Sequence, residues 1–85
     1  MKLLDFQMRQ AIDERDNAKI IYLMAEMFDK PEIFELFAAS DIKYYYGIPC
    51  KLITLHLGNT AYQWIEGERK KVHAAFSSYY LEVCT

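Results

Sequence analysis

The chain has 85 residues and a formal net charge of −2, with a sequence pI of about 5.6. Apolar residues make up 53% of it and charged residues 26%, which is the composition of a folded domain and argues against intrinsic disorder. We therefore expect a single domain over residues 1–85, with no global basic field to attract nucleic acid or an anionic membrane.

The charges are unevenly distributed along the chain. Residues 1–41 carry nine acids against five bases, whereas residues 42–85 carry five bases against three acids. The sequence therefore predicts an acidic N-terminal part and a mildly basic C-terminal part.

The N-terminal third of the chain predicts a helical hairpin. Apolar residues recur at helical spacing over about 2–14, and a run of charged residues then interrupts the pattern. Asp16 or Asn17 is placed to cap a second helix over about 17–28. Because neither Gly nor Pro interrupts this region, one continuous helix over 2–28 is the alternative.

A third helix and the first strand follow. Pro31 is well suited to the first turn of a short helix over about 31–40. Strand-forming residues come next, and Gly47-Ile48-Pro49 predicts a turn back into Cys50. The expected sheet is a three-stranded antiparallel meander over about 42–46, 50–57 and 60–66.

The centre of this predicted sheet is a hairpin with Gly58-Asn59 as its two-residue turn. That register places an apolar set of side chains on one face, namely Ile53, Leu55, Leu57, Tyr62 and Trp64. The opposite face carries Thr54, His56 and Gln63, and we expect any direct function of the hairpin there, together with Tyr45.

The last segment predicts a C-terminal helix over about 68–83 that covers the apolar face of the hairpin. Its apolar residues follow the i, i+3, i+4, i+7 pattern of a helix. The expected fold class is therefore α+β, with helices packed on one face of a small sheet.

No motif for catalysis, cofactor binding or metal binding is present, so we expect a protein that is not an enzyme. The two cysteines, Cys50 and Cys84, lack the spacing of a metal site or a redox motif. A Cys50–His56 nucleophile pair is disfavoured, because the predicted strand separates these residues by roughly 20 Å. The acidic groups at 13–16 and 32–35 are typical of helix capping and solvation.

The cysteine usage and the N-terminus predict a cytoplasmic protein. Two thiols without a disulfide framework indicate a reducing compartment. The first residues reach charged side chains too early for a signal peptide, and no apolar run approaches the roughly 18 residues of a membrane span.

The aromatic content carries the functional prediction. Seven Tyr, five Phe and one Trp exceed what the core of such a short chain needs, and aromatic residues are enriched at protein interfaces. We expect a non-enzymatic protein–protein interaction module, such as a small adaptor, regulator or inhibitor of a larger partner, that forms a homodimer. The candidate interaction surface comprises Tyr44, Tyr45, Tyr46, His56, Gln63, Arg69, Lys70, Lys71 and His73.

The alternative prediction is a single-stranded nucleic-acid binder. Sheet tyrosines would stack bases while the basic turn of Arg69 to Lys71 contacts phosphates. A winged helix-turn-helix is disfavoured, because the third helix carries Glu32 and Glu35 where a recognition helix needs basic or amide side chains.

Overall fold

The computed structural model of the protein describes residues 2–39, 43–47 and 52–84. It contains three helices followed by a three-stranded sheet, which confirms the predicted α+β class. None of the described helices has the length and apolarity needed to cross a bilayer. The elements are α1 (Lys2–Asp13), α2 (Asn17–Met27), α3 (Glu32–Ala39), β1 (Lys43–Tyr46), β2 (Leu52–Ile65) and β3 (Glu68–Cys84).

The break between α1 and α2 confirms the helical hairpin and shows that a single helix over 2–28 was wrong. Arg15 adopts a left-handed φ of 53°. Its N–H bonds the Ile12 carbonyl at 3.0 Å and the Asp16 N–H bonds the Ala11 carbonyl at 3.0 Å, which closes α1 with a Schellman motif. Asp16 then accepts a hydrogen bond from the Lys19 N–H at 3.2 Å, so it is the one of the two predicted candidates that caps α2.

The junction between α2 and α3 is also closed by a Schellman motif. Asp29 lies at φ 52°, its N–H bonds the Glu26 carbonyl at 3.2 Å, and the Lys30 N–H bonds the Ala25 carbonyl at 2.9 Å. The third helix begins just after Pro31, in agreement with the prediction. Its predicted end at residue 40 lies outside the described residues.

The sheet corrects the predicted meander. The strand order is β1-β3-β2, and β1 runs parallel to β3 while β2 and β3 are antiparallel. The hairpin turn is at Glu66-Gly67, where Gly67 has a φ of 85°, and Ile65 pairs with Glu68. The predicted turn at 47–49, the start of the second strand at 50–51 and Cys50 lie at or beyond the edge of the described residues.

Gly58-Asn59 is therefore not a turn, because β2 continues through it. Gly58 has a φ of 69°, and it pairs with Ser78 while Thr60 pairs with His73, so four residues of β3 oppose one residue of β2. This irregularity acts as a bulge. The prediction was wrong because a glycine at positive φ serves a bulge as well as a turn, and the longer hairpin forms more ladder hydrogen bonds.

The predicted helix over 68–83 is also wrong, because this segment is strand β3. Leu81 and Val83 alternate with polar neighbours and are fully buried, whereas Phe76, which the helical pattern places in the core, is 82% exposed. Pairing along most of β2 satisfies the backbone of this segment, and that tertiary context overrides its local helical periodicity.

One hydrophobic core lies between the helices and one face of the sheet. The predicted apolar face of β2 is buried there, but α1, α2 and α3 cover it instead of a C-terminal helix. The Trp64 indole N–H donates to the Asp5 carboxylate of α1 at 2.7 Å, and the Phe28 ring meets the Tyr62 ring edge-on at 5.1 Å. The core residues are Met8, Ala11, Ile12, Ile20, Ile21, Leu23, Met24, Ala25, Ile33, Ile53, Leu55, Leu57, Tyr62, Trp64, Leu81 and Val83.

Candidate interaction surface

The sheet face away from the helices carries a polar and aromatic surface. Strand alternation and the observed register direct six side chains to this side, because their neighbours along each strand face the core. We call it the outer face, and its members are Lys43, Tyr45, Thr54, His56, Tyr80 and Glu82.

A row of three rings crosses all three strands of the outer face. The His56 and Tyr80 rings stack with centroids 3.9 Å apart and planes inclined by 17°. The Tyr45 ring meets Tyr80 edge-on, with centroids 5.5 Å apart. Because Tyr45 lies at the β1 end of the row and is 53% exposed, the row presents an aromatic edge to solvent.

His56 is the most unusual member of the row. Its side chain is only 17% exposed, and its Nε2 atom is buried without a hydrogen-bond partner in the described part of the chain. The nearest acid is Glu82, whose Oε1 lies 3.7 Å from Nε2, which is ion-pair range for a protonated imidazole and too long for a hydrogen bond. Buried polar atoms normally have a partner, so this Nε2 has unused bonding capacity beside a carboxylate.

The outer face is concave along β2. Gln63 Nε2 donates to Thr54 Oγ1 at 3.5 Å although the two residues are nine positions apart on one strand. A straight strand would separate them by roughly 30 Å, so β2 bends over its outer face at the Gly58 bulge. Thr54 is buried as a result.

The structure divides the three predicted tyrosines between the two faces of the sheet. Tyr45 belongs to the outer face, whereas Tyr44 and Tyr46 point to the helices, as strand alternation predicts. The Tyr44 ring contacts Phe37 edge-on at 6.4 Å, and burial raises the pKa of Tyr44. Tyr46 donates a hydrogen bond to Asn17, and the Arg15 guanidinium lies 4.7 Å from its ring centroid. Tyr46 thus secures the α1–α2 junction.

The predicted basic turn is part of the β2–β3 ribbon and is not the start of a helix. Strand alternation places Arg69 and Lys71 on one face of the ribbon and Lys70 on the other. Arg69 lies on the helix side, where one of its guanidinium nitrogens is 3.9 Å from the Asp5 carboxylate. His73 is exposed opposite Thr60. The bases therefore do not form one patch with the outer face.

Sequence reasoning missed Tyr80 and Glu82, which complete the outer face. Both were assigned to a helix, and in that assignment neither meets His56. The signal that identifies them is the alternation of Tyr80 and Glu82 with the buried Leu81 and Val83.

No family model, curated protein or solved structure matches the chain. Among residues 2–39, 43–47 and 52–84, no group of three or more His, Cys, Asp or Glu side chains is placed to hold a metal ion. Cys50 lies outside the described residues, so the Cys50–His56 pair has no structural test. The function is therefore inferred from the chemistry of the surface.

Proposed function

We propose that the protein is a non-enzymatic interaction module that binds a partner protein through the outer face of its sheet. The observation that supports this proposal is the Tyr45–Tyr80–His56 row, whose Tyr45 end is exposed, with the Glu82 carboxylate 3.7 Å from His56 Nε2. Aromatic groups with nearby polar groups are typical of the residues that dominate binding energy at protein interfaces.

The row favours binding because its side chains lose little conformational freedom when a partner docks. Its rings are held by one another and by the strands beneath them, so few rotamers are lost when a partner docks. The concave bend at Gly58 would accept a convex surface of the partner beside the exposed Tyr45 ring.

We further propose that the protein self-associates as a homodimer. Strand β2 is at the edge of the described sheet and spans Leu52–Ile65. The backbone edge of β2 that points away from β3 has no neighbouring strand within the described residues. A long edge of this kind is a template for pairing with another chain. Two copies that pair through β2 would bring their outer faces side by side around a twofold axis.

The test compares two aromatic variants. Tyr45→Ser removes the exposed end of the row, and Phe6→Ser is the matched control because Phe6 is at least as exposed as Tyr45, at 65% against 53%, but lies on α1. We expect affinity capture from lysate followed by mass spectrometry to recover the same partner with the parent chain and with Phe6→Ser, and to lose it with Tyr45→Ser. Sedimentation velocity at micromolar concentration should show a dimer. A monomer that captures nothing would contradict both proposals.

Single-stranded nucleic-acid binding is the second candidate. Lys43 shares the outer face with Tyr45 and Tyr80, and Lys70 extends from the same side of the ribbon. Because Trp64 is fully buried, the anisotropy of a labelled oligothymidine is a better signal than tryptophan fluorescence. Binding that weakens with added salt and with Tyr45→Ser would support this candidate, and no binding at low salt would eliminate it.

A further inference from the structure

A groove lies between α2 and α3, on the helical side of the molecule and away from the outer face. Its volume is about 520 Å³, within the range of ligand pockets. The lining residues are Tyr22, Ala25, Glu26, Asp29, Pro31 and Phe34.

Two aromatic rings form walls of the groove. Tyr22 and Phe34 meet edge-on, with centroids 5.8 Å apart and planes inclined by 75°. Phe34 also stacks against Phe37 at 6.1 Å, which supports it from behind. Both wall residues remain partly exposed, so their rings are accessible to a group that enters the groove.

Two carboxylates line the same groove. Glu26 comes from the last turn of α2 and Asp29 from the residue that closes this helix. In the described part of the chain, neither acid lies within 4 Å of a Lys, Arg or His nitrogen, since the ion pairs there join Arg9 to Asp13, His56 to Glu82, and Arg69 to Asp5. The groove therefore combines apolar walls with negative charge that no described cation neutralises.

We propose that this groove binds an arginine side chain presented by a partner protein. A guanidinium is planar and fixed in charge, so it stacks on an aromatic face while its forked N–H groups bond a carboxylate. The methylene stem would contact Ala25 and Pro31, and residues that flank the arginine would fill the remaining volume. Lysine would bind less well, because its compact ammonium is more strongly hydrated and cannot stack.

This site is separate from the proposed outer-face function, and either can fail without the other. The groove is built from α2 and α3, whereas the outer face is built from the three strands. A partner that contacts both surfaces would have to wrap around the domain.

The experiment titrates the full-length protein with four pentapeptides whose termini are acetylated and amidated. Each has a central test residue between two leucines and terminal glycines, and the test residue is arginine, lysine, citrulline or norleucine. Citrulline keeps the shape of arginine without its charge. We expect calorimetry to show the arginine peptide binding about tenfold more tightly than the citrulline peptide, with lysine between them. The arginine peptide should shift the backbone amide NMR signals of α2 and α3.

Three variants assign the binding to the groove. Glu26→Gln and Asp29→Asn remove one charge each and keep the shape of the side chain, and each should weaken the arginine peptide about fivefold. Because Glu26 also accepts a hydrogen bond from the Tyr22 side chain, Asp29→Asn is the cleaner test of charge alone. Glu35→Gln is the matched control, because Glu35 is an exposed acid of α3 that does not line the groove. All three positions are exposed, so the amide spectra should keep the parent fold.

Three results would overturn the proposal. The first is equal affinity for the arginine and citrulline peptides, or no binding of either. The second is a set of amide shifts centred on the strands instead of on α2 and α3. The third is the same affinity in Glu26→Gln and Asp29→Asn as in Glu35→Gln.

Discussion

The bond between Asp5 and Trp64 is the clearest place to test how the N-terminal helices hold the sheet. The Trp64 indole is fully buried, and its N–H donates to Asp5 Oδ1 at 2.7 Å. The same oxygen lies 3.9 Å from the Arg69 guanidinium. Asp5→Ala therefore removes one acceptor that serves both strands of the hairpin.

The expected loss of stability follows from burial. The Asp5 side chain is only 14% exposed, so the indole N–H loses a charged acceptor and water cannot readily replace it. A hydrogen bond to a charged group contributes roughly 1.5–3 kcal/mol, and a part-exposed ion pair adds at most about 1 kcal/mol. We expect Asp5→Ala to lower the free energy of unfolding by about 2–3 kcal/mol, a large part of the roughly 4–13 kcal/mol typical of a chain of this length.

The assay is urea denaturation followed by far-ultraviolet circular dichroism. With a slope of about 1 kcal/mol per molar urea, the midpoint should fall by roughly 2–3 M. Asp13→Ala is the control on the same helix, because the Asp13 side chain is 72% exposed in its pair with Arg9, and its cost should stay below about 0.5 kcal/mol.

A double-mutant cycle with Trp64→Phe isolates the hydrogen bond. The phenyl ring keeps most of the packing but has no N–H, so Asp5→Ala should cost about 1–2 kcal/mol less in this background. Equal costs of Asp5→Ala in both backgrounds would refute the reasoning, and so would a cost as small as that of Asp13→Ala.

Three other predictions concern backbone strain and tyrosine ionisation. Asp29→Gly should stabilise the fold by about 0.5–1 kcal/mol in urea, because glycine removes the cost of a left-handed φ of 52°; a loss of stability would contradict it. Gly58→Ala should destabilise by about 1–2 kcal/mol at φ 69°, whereas Gly58→Asn should cost less; equal losses would argue against a strained bulge. A hydrogen bond and the charge of Glu26 raise the pKa of Tyr22, so Glu26→Gln should lower it in a carbon-13 NMR titration. The pKa of Tyr44, which is raised by burial, should not respond to this substitution. Because the pKa of Tyr44 is higher in the folded state, its contribution to stability is fully present below about pH 10 and is lost as the pH rises through the raised value.

The three helices were predictable because their signals are local. Asp16 caps α2 and Pro31 precedes α3, and each acts through its immediate neighbours. The left-handed residues Arg15 and Asp29 had no such signal, since glycine is the usual residue at that position. Arg15 has no intrinsic preference for the left-handed region, whereas aspartate adopts it more readily than most residues.

The sheet was harder to predict, because its register depends on residues far apart in the sequence. Ile53 and Trp64 were correctly placed on one face, although the pairing that placed them was wrong. Ile53 lies before the bulge and Trp64 lies after it, and the two are an odd number of residues apart. In a regular strand they would therefore point to opposite faces. The irregularity at Gly58 restores a common face. A turn at Gly58 produces the same assignment of faces, which is why the core face was predicted correctly and the topology was not.

The same bulge explains why the candidate site was only half visible in the sequence. His56 and Gln63 were selected because they lie on the polar side of the predicted hairpin, and that side remains polar in the long bent strand. Tyr80 and Glu82 reach this face only when the last segment is a strand, because a helix would place Tyr80 in the core with its apolar neighbours. The chemistry of the outer face thus requires the β2–β3 pairing. A substitution that weakens the bulge at Gly58 should therefore disturb the His56–Tyr80 stack as well as the stability of the fold.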